Sequence, residues 1–298
     1  MNSTTQIAIL GGGNIGTAIA RGLIASGRYA PGQIIITRRR SQLLNPLGRL
    51  GFVILTDNPE AVRRAEVVII AVTPQQLGAL LQEIRSALVP ARHTVISVVT
   101  GVSIASISKH IGQGVPIVRA MPNTAIAIGE SMTCLAAPAG AGGAGGAGGA
   151  GGAGGAGGAG GADRASDSLE VATSIFDAVG TTLVIDEEQM IPATALCACG
   201  VAFFLRAIRA ASQGGIQIGF NAAEALAMAA QTARGAASLL LTLGNHPEME
   251  IDKVTTPRGC TIAGLNLMEH QGFSSAMIKG IVTSAERAAD LYVNDGGR

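Results

Sequence analysis

The chain contains no tryptophan, only two tyrosines and six phenylalanines, so its core must be built from aliphatic side chains rather than aromatic ones. Charge is scarce too: charged residues make up 14% of the chain and the formal net charge is +1, which leaves no electrostatic footprint for a nucleic acid or an anionic membrane surface. No stretch comes near the ~20 consecutive apolar residues that span a bilayer. The opening residues, MNSTTQIAILGG, lack the basic-then-apolar layout of a secretory signal. Only four cysteines are present, Cys134, Cys197, Cys199 and Cys260, all among apolar or small residues, which suits a reducing compartment better than a disulfide scaffold. A soluble, cytoplasmic protein is expected. With 298 residues the chain exceeds one typical domain and can bury a core without staples.

What is abundant is glycine, alanine and β-branched aliphatics. In the first half, short β-branched runs at 6–10, 33–37, 52–55, 67–72, 94–98, 115–119 and 131–136 alternate with amphipathic stretches at 14–26, 42–50, 59–64, 75–87 and 104–109. Such alternation predicts βαβ units and a mostly parallel sheet covered on both faces. Between 139 and 162 the sequence turns into Gly-Gly-Ala triplets without proline; with nothing to bury, the tract reads as a flexible surface loop before a helix at 164–178. One more strand is expected at 182–185. From 187 onward only helical patterns remain, at 188–211, 222–243, 261–270 and 274–291, and their apolar residues fall on more than one face. The expected division is therefore an α/β domain over 1–186, with the insert at 139–162, and a helical domain over 187–298 that needs a second copy of the chain to cover it.

The strongest local signal follows the first strand. Gly11, Gly13 and Gly16 form a G-x-G-x-x-G pattern between a strand and a helix, the context in which that pattern holds a dinucleotide. Gly11 allows the tight turn, Gly13 lets backbone approach a pyrophosphate, and Gly16 lets helix and strand pack closely. Asn14 and Ile15 open the helix whose N-terminal amides face the phosphates. An NAD site places an acid about 20 residues later to hold the ribose hydroxyls. Here the second strand ends in Thr37-Arg38-Arg39-Arg40, so guanidinium groups stand where the acid would be, and NADP(H) is favoured with NAD(H) as the alternative.

Two more strand ends, Ala71-Val72-Thr73-Pro74 and Thr100-Gly101, face the same crevice, although their small residues and proline read equally well as plain strand-to-helix punctuation; Arg119-Ala-Met-Pro-Asn123-Thr124 follows. Near the other end, Thr255-Thr256-Pro257-Arg258-Gly259-Cys260-Thr261 leads into a helix and presents amides and hydroxyls suited to a carboxylate, or simply caps the helix. Cys197-x-Cys199 has no companion ligands at zinc spacing, so no metal is expected and small helix residues are the reading. The four histidines, His93, His110, His246 and His270, fall outside the cores of these motifs and read as surface or capping residues.

Together these motifs resemble the pyrroline-5-carboxylate reductase family over nearly the whole chain apart from the Gly-Ala tract. The features that carry the resemblance are the glycine motif, AVTPQ at 71–75, RAMPNT at 119–124, EALAMAAQT at 224–232 and HPEMEIDKVTTPRGCTIAGL at 246–265. The resemblance implies a Rossmann domain followed by a helical dimerisation domain, and hydride transfer from NADPH to a cyclic imino acid to make L-proline. It further implies that Gly11 to Gly16 hold the pyrophosphate, Thr37 and Arg38 the 2′-phosphate, and Asn58 the adenosine side. Ala71, Val72, Thr73, Pro74, Thr100, Gly101 and Asn123 would line the rest of the cofactor site. Thr256, Gly259, Cys260 and Thr261 would form the substrate loop, with the Thr261 hydroxyl at the ring nitrogen and Glu187 at the edge. No histidine or lysine acid is implied, because a protonated imine is already electrophilic. This chain departs from the family pattern at CACGVAF (197–203), at Arg258 in place of a glycine, and at AVTP in place of AVKP. Two rivals share the two-domain plan. The hydroxy-acid dehydrogenases need a lysine in the long interdomain helix, which 188–211 lacks, and a non-catalytic NADPH-binding relative would differ by absent turnover.

Overall fold

In a computed structural model, which describes residues 5–138 and 159–293, the chain divides into two compact units, one formed by residues 1–198 with 285–298 and the other by 199–284. The first unit is built on an eight-stranded sheet. Its strands are β1 (Ile7–Leu10), β2 (Ile34–Thr37), β3 (Val53–Leu55), β4 (Val67–Ile70), β5 (Thr94–Ser97), β6 (Ile117–Met121), β7 (Ser131–Ala136) and β8 (Gly180–Val184), in the order β3-β2-β1-β4-β5-β6-β7-β8. All neighbours run parallel except β6 and β7.

Because strands covered on both faces need no polar residues, β1, β2 and β4 read Ile-Ala-Ile-Leu, Ile-Ile-Ile-Thr and Val-Val-Ile-Ile, buried throughout. Alternation then sorts their side chains. Ile7, Ile9, Ile34, Ile36, Val67 and Ile69 point to one layer, against Ile19 and Leu23 of helix α1 (Asn14–Ala25). Ala8, Leu10, Ile35, Val68 and Ile70 point to the other. There they meet residues of three further helices after a single helical turn α2 (Asn45–Gly48): α3 (Asn58–Arg64), α4 (Pro74–Ile84) and α5 (Ile104–Ile111). Helix α6 (Ala159–Phe176) joins the first layer through Leu169, Ala172, Ile175 and Phe176. Each such fully buried aliphatic contributes about 1.5–3 kcal/mol. A doubly wound, mostly parallel sheet results, with the strand order reversing between β1 and β4, the place where open α/β sheets bind ligands.

The expected strands and helices are present with modest shifts. The helix expected at 42–50 is a 3₁₀ turn, Ser41–Leu44, followed by α2, because Pro46 supplies no amide hydrogen to continue a regular helix. The loop expected over 139–162 gives way at its end to helix α6, which begins at Ala159; residues 139–158 of it lie outside the described residues.

The helix expected at 188–211 starts as α7 (Met190–Ala193), widens into a π-helical turn over Thr194–Cys199, and continues as α8 (Gly200–Gln217). Val201, within the CACGVAF departure, keeps its amide and the helix runs on. As one helical stretch, Glu187–Gln217 is long and apolar enough to cross a membrane by length and composition, with Arg206 and Arg209 within it.

In the second unit, α8 and α9 (Ala222–Leu243) are followed by α10 (Pro247–Val254), α11 (Cys260–His270) and the first part of α12 (Phe273–Val293). Helix α10 was not expected from periodicity; His246 accepts from the Glu248 amide and Pro247 starts it, a purely local signal. Buried residues are few in these helices. Phe204, Leu205, Leu241, Leu267 and Ile278 are all more than half exposed, the unpaired apolar surface that the sequence pattern implied.

Candidate functional site

The carboxyl ends of β1, β2, β4 and β5 bring the predicted dinucleotide residues onto one edge of the sheet. Gly11 sits at φ +119, which side-chain-bearing residues rarely adopt, and a Cβ there would run into the Ala71 carbonyl. So the first glycine is required by the neighbouring strand end as much as by its own turn. A Cβ at Gly16 would collide with the Gly11 carbonyl, which is the close helix–strand contact expected of the third glycine. Gly13 differs from both: nothing lies within 4 Å of a Cβ built on it. No steric need inside the protein explains a glycine there.

Gly13 is also the N-cap of α1 and makes no side-chain cap, so the first-turn amides at Asn14, Ile15 and Gly16 have no side chain serving them from the cap. Thr17 turns its hydroxyl back to the Gly13 carbonyl at 2.7 Å. An uncapped first turn beside an open glycine is the arrangement that receives a phosphate.

At the end of β2, the Gly11 and Gly12 amides both donate to the Thr37 carbonyl, tying the glycine turn to this strand. Arg38 donates from Nη1 to the Gly12 carbonyl at 2.8 Å, which fixes the guanidinium beside the turn while Arg39 and Arg40 stay exposed. The buried Thr37 hydroxyl donates to Asn58 Oδ1 at 2.7 Å, and Asn58 Nδ2 donates to Glu83 Oε2 at 3.0 Å. Thr37 and Asn58 are therefore in contact, with Arg38 next along the chain and turned to the glycine turn. Glu83 of α4 was missed, since nothing in the local pattern separates it from any other exposed helix acid.

Ala71 follows β4 and is held by its amide to the Leu10 carbonyl at 2.8 Å. Val72 and Thr73 continue the turn, with Thr73 at the N-cap and Pro74 at the first position of α4. Thr100 and Gly101 follow β5, with Gly101 at φ +83.

Asn123 and Glu187 turn inward. Asn123 Oδ1 caps the 3₁₀ turn Thr124–Ile128 by accepting from the Ala125 amide, and its Nδ2 donates to the Cys197 carbonyl at 3.2 Å. That carbonyl lies in the π turn, where the ordinary helical ladder is interrupted. Glu187 Oε1 accepts from the Ile104 amide at the start of α5 at 2.7 Å and pairs with Arg119 Nη1 at 3.2 Å. The Arg119 side chain is 2% exposed, so the carboxylate supplies counter-charge that a buried guanidinium needs. Cys197 Sγ lies 3.8 Å from Cys134 Sγ. The hydrogen bond between the two thiols holds Cys197 below the ordinary thiol range, while the same bond and burial push Cys134 up.

The second unit holds the predicted substrate loop. The Gly259 amide donates to the Thr256 carbonyl at 2.8 Å, with Pro257 and Arg258 between them, closing a turn. Arg258 has φ 61, the left-handed region, which explains why glycine is the easier residue at that position. Gly259 then caps α11 without a side chain, leaving the Cys260 and Thr261 amides in the first turn, and a Cβ on Gly259 would strike the Thr256 hydroxyl. Thr256, Gly259, Cys260 and Thr261 are thus gathered at one helix start, with Cys260 exposed and Thr261 half-buried.

Residues 187–291 match the family described as pyrroline-5-carboxylate reductase dimerisation, and residues 6–101 match that described as NADP oxidoreductase, coenzyme F420-dependent. Among known proteins, the chain is 54% identical to pyrroline-5-carboxylate reductase 1 of Dictyostelium discoideum, covering 96% of this chain but spanning only 50% of that relative's length. It is 48% identical to pyrroline-5-carboxylate reductase 2 of the same organism, covering 97% of this chain and 94% of that protein. A solved pyrroline-5-carboxylate reductase from Coxiella burnetii superposes with a TM-score of 0.81 at 28% identity, covering 97% of this chain and 98% of that one.

Proposed function

The chain belongs to the pyrroline-5-carboxylate reductase family, and on that premise we propose that it reduces 1-pyrroline-5-carboxylate to L-proline with NADPH. The observation that carries the cofactor half is Gly13, an open glycine at the uncapped start of α1. When bound, the nicotinamide supplies the hydride. The protein's own part is to hold and orient. Backbone at Gly11, Gly13, Asn14, Ile15 and Gly16 receives the pyrophosphate, and Arg38 takes the adenosine end, with Thr37 and Asn58 shaping the corner beside it. Ala71, Val72, Thr73, Pro74, Thr100, Gly101 and Asn123 line the remainder, Asn123 by shape, because its side-chain amide is spent on Ala125 and Cys197 and its backbone on Ser131 and Ile126.

The uncapped start of α11 grips the substrate carboxylate through its amides, with Thr256, Gly259 and Cys260 shaping the turn and the Thr261 hydroxyl bonding the ring nitrogen. Glu187 acts at the edge by fixing Arg119 and α5 rather than by touching substrate. The functional domains are divided as 1–186 and 187–298, and the exposed apolar helices of the second are covered by another copy of the chain, as a homodimer or larger homo-oligomer. Burial against that copy, rather than lipid, accounts for the apolar stretch Glu187–Gln217 with its two arginines. The near-neutral charge argues against nucleic acid, and the four free thiols suit the cytoplasm.

The test follows NADPH oxidation with 1-pyrroline-5-carboxylate and identifies proline as product. Turnover in the wild type, with kcat/KM reduced at least about tenfold in Thr261→Val, is the expected result. Tight NADPH binding without turnover would support a non-catalytic relative instead.

A further inference from the structure

An acid at the end of the second strand marks an NAD site, and this chain has Thr37-Arg38-Arg39-Arg40 there. The fold nevertheless delivers a carboxylate to the same corner from a different element. Glu83, near the end of α4, accepts from Asn58 Nδ2 at 3.0 Å, and Asn58 Oδ1 accepts from the Thr37 hydroxyl at 2.7 Å. The chain of donors runs one way, from the strand end through the amide to the carboxylate. Thr37 is 2% exposed and committed to Asn58, so its hydroxyl adds no donor for a phosphate. Arg38 is held to the Gly12 carbonyl at 2.8 Å. A cation and an anion therefore flank the adenosine corner together: Arg38 attracts a 2′-phosphate, while Glu83 repels it and can accept from a 2′-hydroxyl.

We infer that Glu83 is a specificity-determining residue for the coenzyme, supplying from α4 the acid that the second strand lacks, and so opening the site to NADH beside NADPH. The inference rests on the cofactor reading above. It assigns the two coenzymes opposite responses to one substitution. Removing the charge in Glu83→Gln strengthens NADPH binding and weakens NADH binding. Shortening the side chain in Glu83→Asp keeps the charge and much of the preference. Because Glu83 is exposed on its helix, neither change disturbs the core.

Dissociation constants for NADPH and NADH, measured by titrating coenzyme fluorescence on the full chain without substrate, provide a readout independent of turnover. Glu83→Gln is expected to shift the NADPH-over-NADH affinity ratio upward by about tenfold, the scale of one unit charge acting across several ångströms at a partly exposed site. In Glu83→Asp the ratio stays within about threefold of wild type. An unchanged ratio in Glu83→Gln overturns the inference, as does a shift in Glu83→Asp equal to that in Glu83→Gln, which would remove charge as the cause. These outcomes are separate from those for the reductase reading: wild type that binds both coenzymes but fails to reduce the imino acid sinks only the latter. Failure to bind either coenzyme sinks both.

Discussion

Replacing Glu187 with alanine removes the carboxylate that sits 3.2 Å from a guanidinium with 2% side-chain exposure and 2.7 Å from the Ile104 amide. Two unit charges at that separation attract by roughly 5 kcal/mol at an effective dielectric near 20. Breaking a buried pair by deleting one partner typically costs about 3–5 kcal/mol. Glu187 itself is 30% exposed, so water screens part of this, and the expected loss is about 2–3 kcal/mol. For a folding unit of this size that lowers Tm by roughly 4–12 °C. Glu187→Gln keeps an acceptor for Ile104 and loses only the charge, so its loss is expected to be about half as large. Scanning calorimetry on wild type and both variants gives the ranking directly. If Glu187→Ala melts within about 1 °C of wild type, or below Glu187→Gln by nothing measurable, the carboxylate is not the structural partner of Arg119 and the account of β6 and α5 is wrong.

His93 gives a pH prediction. The Val89 amide can only donate to its Nδ1, so the ring is neutral with the proton on Nε2, facing the Val62 carbonyl; burial holds its pKa below the ordinary value. A folded value below the unfolded one means full stability above about pH 6.5 and loss as pH falls beneath it. Tm should drop between pH 7.5 and 5, and His93→Gln should show a shallower drop; an equal slope would remove His93 as the source. For the thiol pair, Cys197, held below the ordinary thiol range by Cys134, should be alkylated by iodoacetamide at neutral pH faster than an ordinary thiol. Cys134→Ala, by deleting the hydrogen-bond partner, should slow that reaction, and an unchanged or faster rate would contradict the pairing.

Much of the architecture was legible because it depends on local pattern. Runs such as 7–10, 34–37 and 67–70 are apolar without alternation, which only a doubly covered strand tolerates, and the glycine motif lies between strand and helix. The turn before α11 was legible for the same reason, since threonine, proline and glycine act on their own backbone. What escaped was long-range or defined by competition between interactions. Arg119 meets Glu187 across 68 positions and Asn58 meets Glu83 across 25, and no sequence period encodes either partner. Asn123 reads as a crevice residue from its place after β6, yet its amide is used inward by Ala125 and by a carbonyl that a π turn, invisible to a 3.6-residue period, made accessible. The short helix α10 fell below the length at which periodicity speaks and depends on His246 and Pro247.

The central claim is that a dinucleotide lies against the glycine turn at the end of β1, and Gly13→Val examines it most directly. Nothing lies within 4 Å of a Cβ at this position, and φ −83 is open to valine, so the variant should fold with a Tm within a few degrees of wild type. Its branched Cβ would fill the space left for the pyrophosphate. Titration of NADPH fluorescence should then show affinity reduced at least about a hundredfold in a protein that melts normally. Wild-type NADPH affinity in a folded Gly13→Val protein would contradict the placement of the coenzyme and the reductase reading built on it.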